Sequence, residues 1–127
     1  MDKPKILLVD DDPDVAELVR ITLEANGYQF YRAANGPEGL KMVKEIHPDL
    51  IILDVMMETN SAGFELSREF KTASPSTKVL MLTGVDQAMN IDFKSEAGNA
   101  DWLPCDDYLS KPVVPKTLLE KVTALLS

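Results

Sequence analysis

Leu50-Ile51-Ile52-Leu53-Asp54 is the stretch on which the fold turns. Four consecutive apolar residues, two of them β-branched, predict a strand buried on both faces, as in a parallel sheet. The run closes on a carboxylate. Lys5-Ile6-Leu7-Leu8-Val9-Asp10 repeats the pattern, and Lys78-Val79-Leu80-Met81-Leu82-Thr83 gives a third such run, ending on a hydroxyl. Tyr28 to Ala33 is more polar and reads as an edge strand. Asp107 to Ser110 reads as a short fifth strand.

The segments between these strands carry helical spacing. Pro13 suits a first helical turn with Asp12 as N-cap, and Val15, Leu18, Val19, Thr22 and Leu23 form one stripe that stops at Asn26-Gly27. Asn35-Gly36-Pro37 opens a second helix with stripe Leu40, Val43 and Ile46, closed by His47-Pro48. A third helix is expected near Phe64 to Thr72 and a fourth near Met89 to Ala97. Pro115 starts a fifth, with stripe Leu118, Leu119, Val122 and Leu125-Leu126. Five strands alternating with five helices predict an α/β fold: a doubly wound parallel sheet with helices on both faces. Five strands fit the flavodoxin-like order 2-1-3-4-5.

Composition narrows the class. The 127 residues suit one domain, 1–127. With 45% apolar content the chain is not expected to be disordered. Lys and Arg number 13 against 21 Asp and Glu, a net charge of −8, so no direct nucleic-acid partner is expected. No apolar run approaches the roughly 20 residues of a membrane span, and Met1-Asp2-Lys3-Pro4 does not resemble a signal peptide. The single cysteine, Cys105, excludes an internal disulfide and fits a reducing cytoplasm. The acid excess is clustered, with Asp10, Asp11, Asp12 and Asp14 close together.

In a sheet of this order, ligands bind beyond the carboxyl ends of the strands at the switch point between strands 1 and 3. Strand 1 ends in Asp10-Asp11, strand 3 in Asp54 and strand 4 in Thr83, while Lys111 follows strand 5. Three carboxylates, a hydroxyl and an ammonium are therefore expected on one edge. Clustered carboxylates repel each other by about 4 kcal/mol per pair at about 4 Å and an effective dielectric near 20, which a bound cation would relieve. Hard oxygen ligands suit Mg²⁺. A carboxylate beside Mg²⁺, a Lys and a hydroxyl is placed to attack phosphorus.

At these residues the chain resembles a response-regulator receiver domain of two-component signalling, akin to single-domain chemotaxis regulators, over essentially its whole length. The matching pieces are Val9-Asp10-Asp11-Asp12, Leu53-Asp54, Leu82-Thr83-Gly84 and Tyr108-Leu109-Ser110-Lys111-Pro112. Each alone is weak, but four in order at the ends of expected strands are specific. The resemblance implies that Asp54 is the phosphoacceptor. It implies that Asp10, Asp11, Asp54 and the Met56 carbonyl hold Mg²⁺, and that Lys111 pairs with the acceptor or phosphoryl oxygens. Thr83 would be the switch hydroxyl and Tyr108 the coupled aromatic. The phosphodonor would be a sensor histidine kinase or phosphotransfer protein. The output would be an unidentified protein or a fused domain, reached through the face built by the fourth helix, fifth strand and fifth helix. Homodimerisation through that face is left open. The resemblance implies a switch rather than an enzyme, self-catalysing its phosphorylation and autodephosphorylation.

Two departures stand out. Glu58 replaces the proline usual after the acceptor loop's methionine, with Gly63 about one residue late, and the segment from Thr83 to Lys111 exceeds the family norm around Asn99 to Asp106. A degenerate receiver that binds partners without phosphorylation is one competing reading. A Mg²⁺-dependent phosphatase with an aspartate nucleophile is another, although Asp10-Asp11-Asp12-Pro13 lacks the Thr or Val that usually follows and no cap domain is evident. A flavin module would need a Gly- and hydroxyl-rich loop after strand 1. Asp12 and Asp14 are expected as helix-start residues, Trp102 and Cys105 as packing of the long segment, His47 as a partner for the helix dipole, and Met56-Met57 side chains as loop packing. With Ser127 directly after the fifth helix, the chain is expected to be a stand-alone receiver or one excised from a longer protein.

Overall fold

Lys5–Val9 (β1), Gln29–Ala33 (β2), Leu50–Asp54 (β3), Lys78–Thr83 (β4) and Asp107–Ser110 (β5) form one parallel sheet in the order β2-β1-β3-β4-β5 in the computed structural model. This is the flavodoxin-like order expected from the alternation. The structure describes residues 3–54, 69–70, 72–74, 76–83, 106–110 and 113–126. Three complete helices fall within these residues: α1 (Pro13–Glu24), α2 (Gly36–Ile46) and α3 (Pro115–Leu126), the last being the expected fifth helix. Glu69, Phe70, Thr72 and Ala73 are helical at the end of the expected third helix. The rest of that helix and the expected helix near Met89 to Ala97 lie outside the described residues.

The central strands are buried on both faces because their side chains alternate between two apolar layers. Ile6, Leu8, Leu50, Ile52, Leu80 and Leu82 pack with α1 and α3 residues such as Val19, Leu23, Leu118 and Val122. Leu7, Val9, Ile51 and Leu53 point the other way and pack with Val43 of α2 and with Phe70. Each fully buried Leu, Ile or Val contributes on the order of 1.5–3 kcal/mol relative to exposure. The layers therefore fix both the sheet and the seats of the helices. β2 is half-buried along most of its length, as an edge strand should be.

Two local readings shift. Leu18, expected in the α1 stripe, is only half-buried, and Ala16 is buried in its place. The helix faces the sheet through Ala16, Val19 and Leu23, where a small residue allows close approach. In α2, Val43 is fully buried while Leu40 and Ile46 stay half-buried, because the helix approaches β1 closely at Gly39. His47 caps α2 in the left-handed region at φ 50 and is exposed.

The amino-terminal end of the sheet is pinned by two aspartates. Asp49 Oδ2 accepts from Lys5 N at 2.8 Å, and Asp49 N donates to Lys5 O at 2.8 Å. Asp106 repeats the arrangement on β4: its Oδ2 accepts from Val79 N at 2.8 Å, and its own N donates to Val79 O at 2.9 Å. Each side chain supplies the acceptor a strand start needs. Nearby, the buried Thr77 hydroxyl donates to Pro48 O at 2.7 Å.

Candidate functional site

The register Val9↔Leu53 sets the β1–β3 pairing at the opposite end, so Asp10 and Asp54 follow side by side at the carboxyl edge. Asp10 is 0% exposed and Asp54 3%, while Asp11 faces solvent. One carboxylate oxygen from each of Asp10, Asp11 and Asp54 lies within 4.8 Å of the others. Positions far apart in sequence thus converge, as the expected strand order implies.

The turn after β1 holds these groups in place. Asp10 Oδ1 accepts from Asp12 N at 2.9 Å, and Asp12 Oδ1 accepts from Asp14 N at 2.9 Å. Asp12 is the N-cap of α1, as expected, and Asp14 lies in its first turn. On the β2 side, Asp10 N donates to Ala33 O at 3.1 Å, while Arg32 Nε and Nη2 both donate to Asp10 O at 3.3 Å. Sequence reasoning missed Arg32: it reads only as a polar residue in an edge strand, and nothing in its spacing links it to Asp10.

Asp54 pairs with Leu82, which puts Thr83 one residue further along at the end of β4, opposite Ser110 of β5. Tyr108 lies in β5 opposite Met81 and is half-buried. Lys121 Nζ sits 5.6 Å from the Tyr108 ring centroid and contacts both Asp107 carboxylate oxygens at 3.1 Å. Lys121 was also invisible in the sequence, where it is one charge on the outer side of a helix. Lys111, Met56 and Glu58 lie outside the described residues, as do Trp102 and Cys105.

Carboxylates this close repel, the more so because two of them are buried. A divalent cation with hard oxygen preference relieves that repulsion, and two buried carboxylates beside an exposed one leave ligand positions open to solvent. The donor set therefore fits Mg²⁺.

A family model described as response regulator receiver domain matches residues 6–123. The chain belongs to the response-regulator receiver family. Receiver domains of this family are the switches of two-component signalling, typically phosphorylated on Asp, and they bind Mg²⁺ at an acidic pocket. The chain is 38% identical over 127 residues to the DNA-binding dual master transcriptional regulator RpaA of Synechocystis sp., covering 97% of this chain and 49% of that protein. It is 34% identical over 122 residues to the alkaline phosphatase synthesis transcriptional regulatory protein PhoP of Bacillus subtilis, covering 96% of this chain and 48% of that one. The receiver spans about half the length of these curated relatives. Among solved structures, a CheY-like response regulator receiver domain protein from Methanospirillum hungatei shares 32% identity with a TM-score of 0.81, over 98% of this chain and 94% of that one. Chemotaxis response regulator CheY4 of Vibrio cholerae shares 31% at a TM-score of 0.80, over 98% and 99%. Among the described residues, no helix of this receiver is long and apolar enough to cross a membrane.

Proposed function

We propose that residues 1–127 act as one receiver unit that takes a phosphoryl group onto Asp54 from the phosphohistidine of a sensor kinase or phosphotransfer protein. The observation that carries this reading is the buried Asp54 carboxylate within 4.8 Å of the carboxylate oxygens of Asp10 and Asp11. An Asp54 oxygen attacks phosphorus, the new O–P bond forms as the donor's N–P bond breaks, and the departing imidazole takes up a proton. Asp10, Asp11, Asp54 and the Met56 carbonyl would hold Mg²⁺, which would supply positive charge to the transferring phosphoryl oxygens. Thr83 and Lys111 take up those oxygens on the product. Asp10 and Asp11, fixed by the turn that caps α1, keep the donor set in place while Asp54 reacts.

The product carries about −1.5 to −2 of added charge and three acceptor oxygens. Drawing Thr83 and Lys111 toward them biases Tyr108 and the face formed by the fourth helix, β5 and α3, which an output protein or fused domain reads. That bias equals the differential stabilisation of the two states and no more. Residues 1–127 turn over no separate metabolite, act in the cytoplasm, and do not themselves contact membrane or nucleic acid.

The test is mass measurement after incubation with Mg²⁺ and acetyl phosphate. The expected result is a gain of one phosphoryl group that Asp54→Asn abolishes. No adduct, or one indifferent to that substitution, overturns the reading.

A further inference from the structure

Asp10 is the hinge of the acidic turn: its side chain caps Asp12 N and its peptide leads directly to Asp11. Its backbone is gripped from β2 on both sides. Ala33 O takes its N–H, and the guanidinium of Arg32 takes its carbonyl through Nε and Nη2, both at 3.3 Å. Strand pairing between β1 and β2 ends at Val9↔Ala33. Arg32, which lies opposite Leu8, reaches forward along the edge and continues the ladder one residue past its last pair with side-chain donors. A planar fork with fixed donor geometry holds a carbonyl in a defined direction, which a lysine ammonium on a flexible stem does not. The peptide between Asp10 and Asp11 is thereby oriented, and with it the two carboxylates on either side.

We propose that Arg32 is a positioning residue for cation binding. By fixing the Asp10 carbonyl, it presets the carboxylates of Asp10 and Asp11 against Asp54 before the cation arrives, so that binding does not have to order the turn. This rests on the reading that Asp10, Asp11 and Asp54 hold Mg²⁺. Arg32 also contributes permanent positive charge near the cluster, and charge alone acts in the opposite direction, since it competes with an incoming cation. The two effects separate by substitution. Arg32→Lys keeps the charge and loses the fork; Arg32→Gln loses both the charge and the fork.

The experiment is Mg²⁺ titration by calorimetry on the wild type, Arg32→Lys, Arg32→Gln and Asp11→Ala, with the melting temperature of each measured without Mg²⁺. Positioning predicts that Arg32→Lys weakens Mg²⁺ binding by roughly 10-fold, the lower end for loss of an outer partner of metal ligands. Any change in its metal-free melting temperature should be too small to account for that loss. Mg²⁺ affinity in Arg32→Lys equal to wild type overturns the proposal, and that result together with tighter binding in Arg32→Gln would make Arg32 a counter-charge only. Failure of the underlying reading looks different: the wild type and Asp11→Ala would then show the same Mg²⁺ response, or none, and both inferences fall together.

Discussion

Gly39 of α2 lies against Val9 of β1 so closely that a Cβ built on it would stand 2.9 Å from Val9 Cγ2 and 3.2 Å from Phe70 Cζ. At this position the helix meets the sheet with backbone rather than side chain, against the last residue before the acidic turn.

Gly39→Ala is therefore expected to destabilise the protein by about 1–3 kcal/mol through overpacking. The roughly 0.5–1 kcal/mol that alanine gains over glycine inside a helix works against this and leaves a net loss of up to about 2.5 kcal/mol. Urea unfolding checks the sign. A midpoint at or above wild type would show that Val9 and Phe70 yield without cost.

Asp106→Ala removes the acceptor for Val79 N at the start of β4 and is expected to cost about 1–2 kcal/mol, because a strand donor is left without that partner. Hydrogen exchange at the Val79 amide should quicken more than exchange in β1 or β3. Equal acceleration throughout the sheet would mean global destabilisation rather than a local fray.

Mg²⁺ is expected to raise the melting temperature, with stabilisation of about 2.7 kcal/mol at a concentration near 100 Kd. Asp11→Ala should flatten that response and raise the metal-free melting temperature, since one of three mutually repelling carboxylates is gone. Scanning calorimetry with Mg²⁺ and with a chelator tests both signs. An unchanged Mg²⁺ response in Asp11→Ala would remove Asp11 from the ligand set.

Lys121→Met loses the contacts to both Asp107 oxygens and to the Tyr108 ring. Both members of the ion pair are about a third exposed, so the expected loss is below about 1 kcal/mol and shrinks with added salt. Lys121→Arg should retain most of it, since guanidinium also stacks on aromatic faces. Denaturant midpoints at low and high ionic strength measure the difference. A salt-independent loss would assign the effect to the short-range contact with the Tyr108 ring rather than to the ion pair.

The strands were legible because their chemistry is one-dimensional. Leu50 to Asp54 and Lys78 to Thr83 are apolar on both faces, and no helix pattern competes with so short a run. Asp10, Asp11 and Asp54 were legible as a group only through topology: strand order, rather than spacing, brings Asp54 to Asp10. Helix faces were read less well. Apolar stripes rank residues by hydrophobicity, whereas the actual seats of α1 and α2 use Ala16 and Gly39, whose value lies in being small. Asp49, Asp106 and Arg32 act through backbone groups of other strands, and a bond to a main-chain atom leaves no mark on the partner's identity. They read as ordinary surface charge.

The register between β1 and β3 has one more consequence. A slip by one residue would move one strand against the other by about 3.3 Å and turn its side chains to the opposite layers. Asp10 and Asp54 would then no longer stand abreast, and the oxygens now within 4.8 Å would part company. A misthreaded molecule would thus lack the converged carboxylates as well as a proper interior. Under the proposed Mg²⁺ reading, cation affinity would therefore report on the register as well: a molecule that held the ion would have β1 aligned with β3.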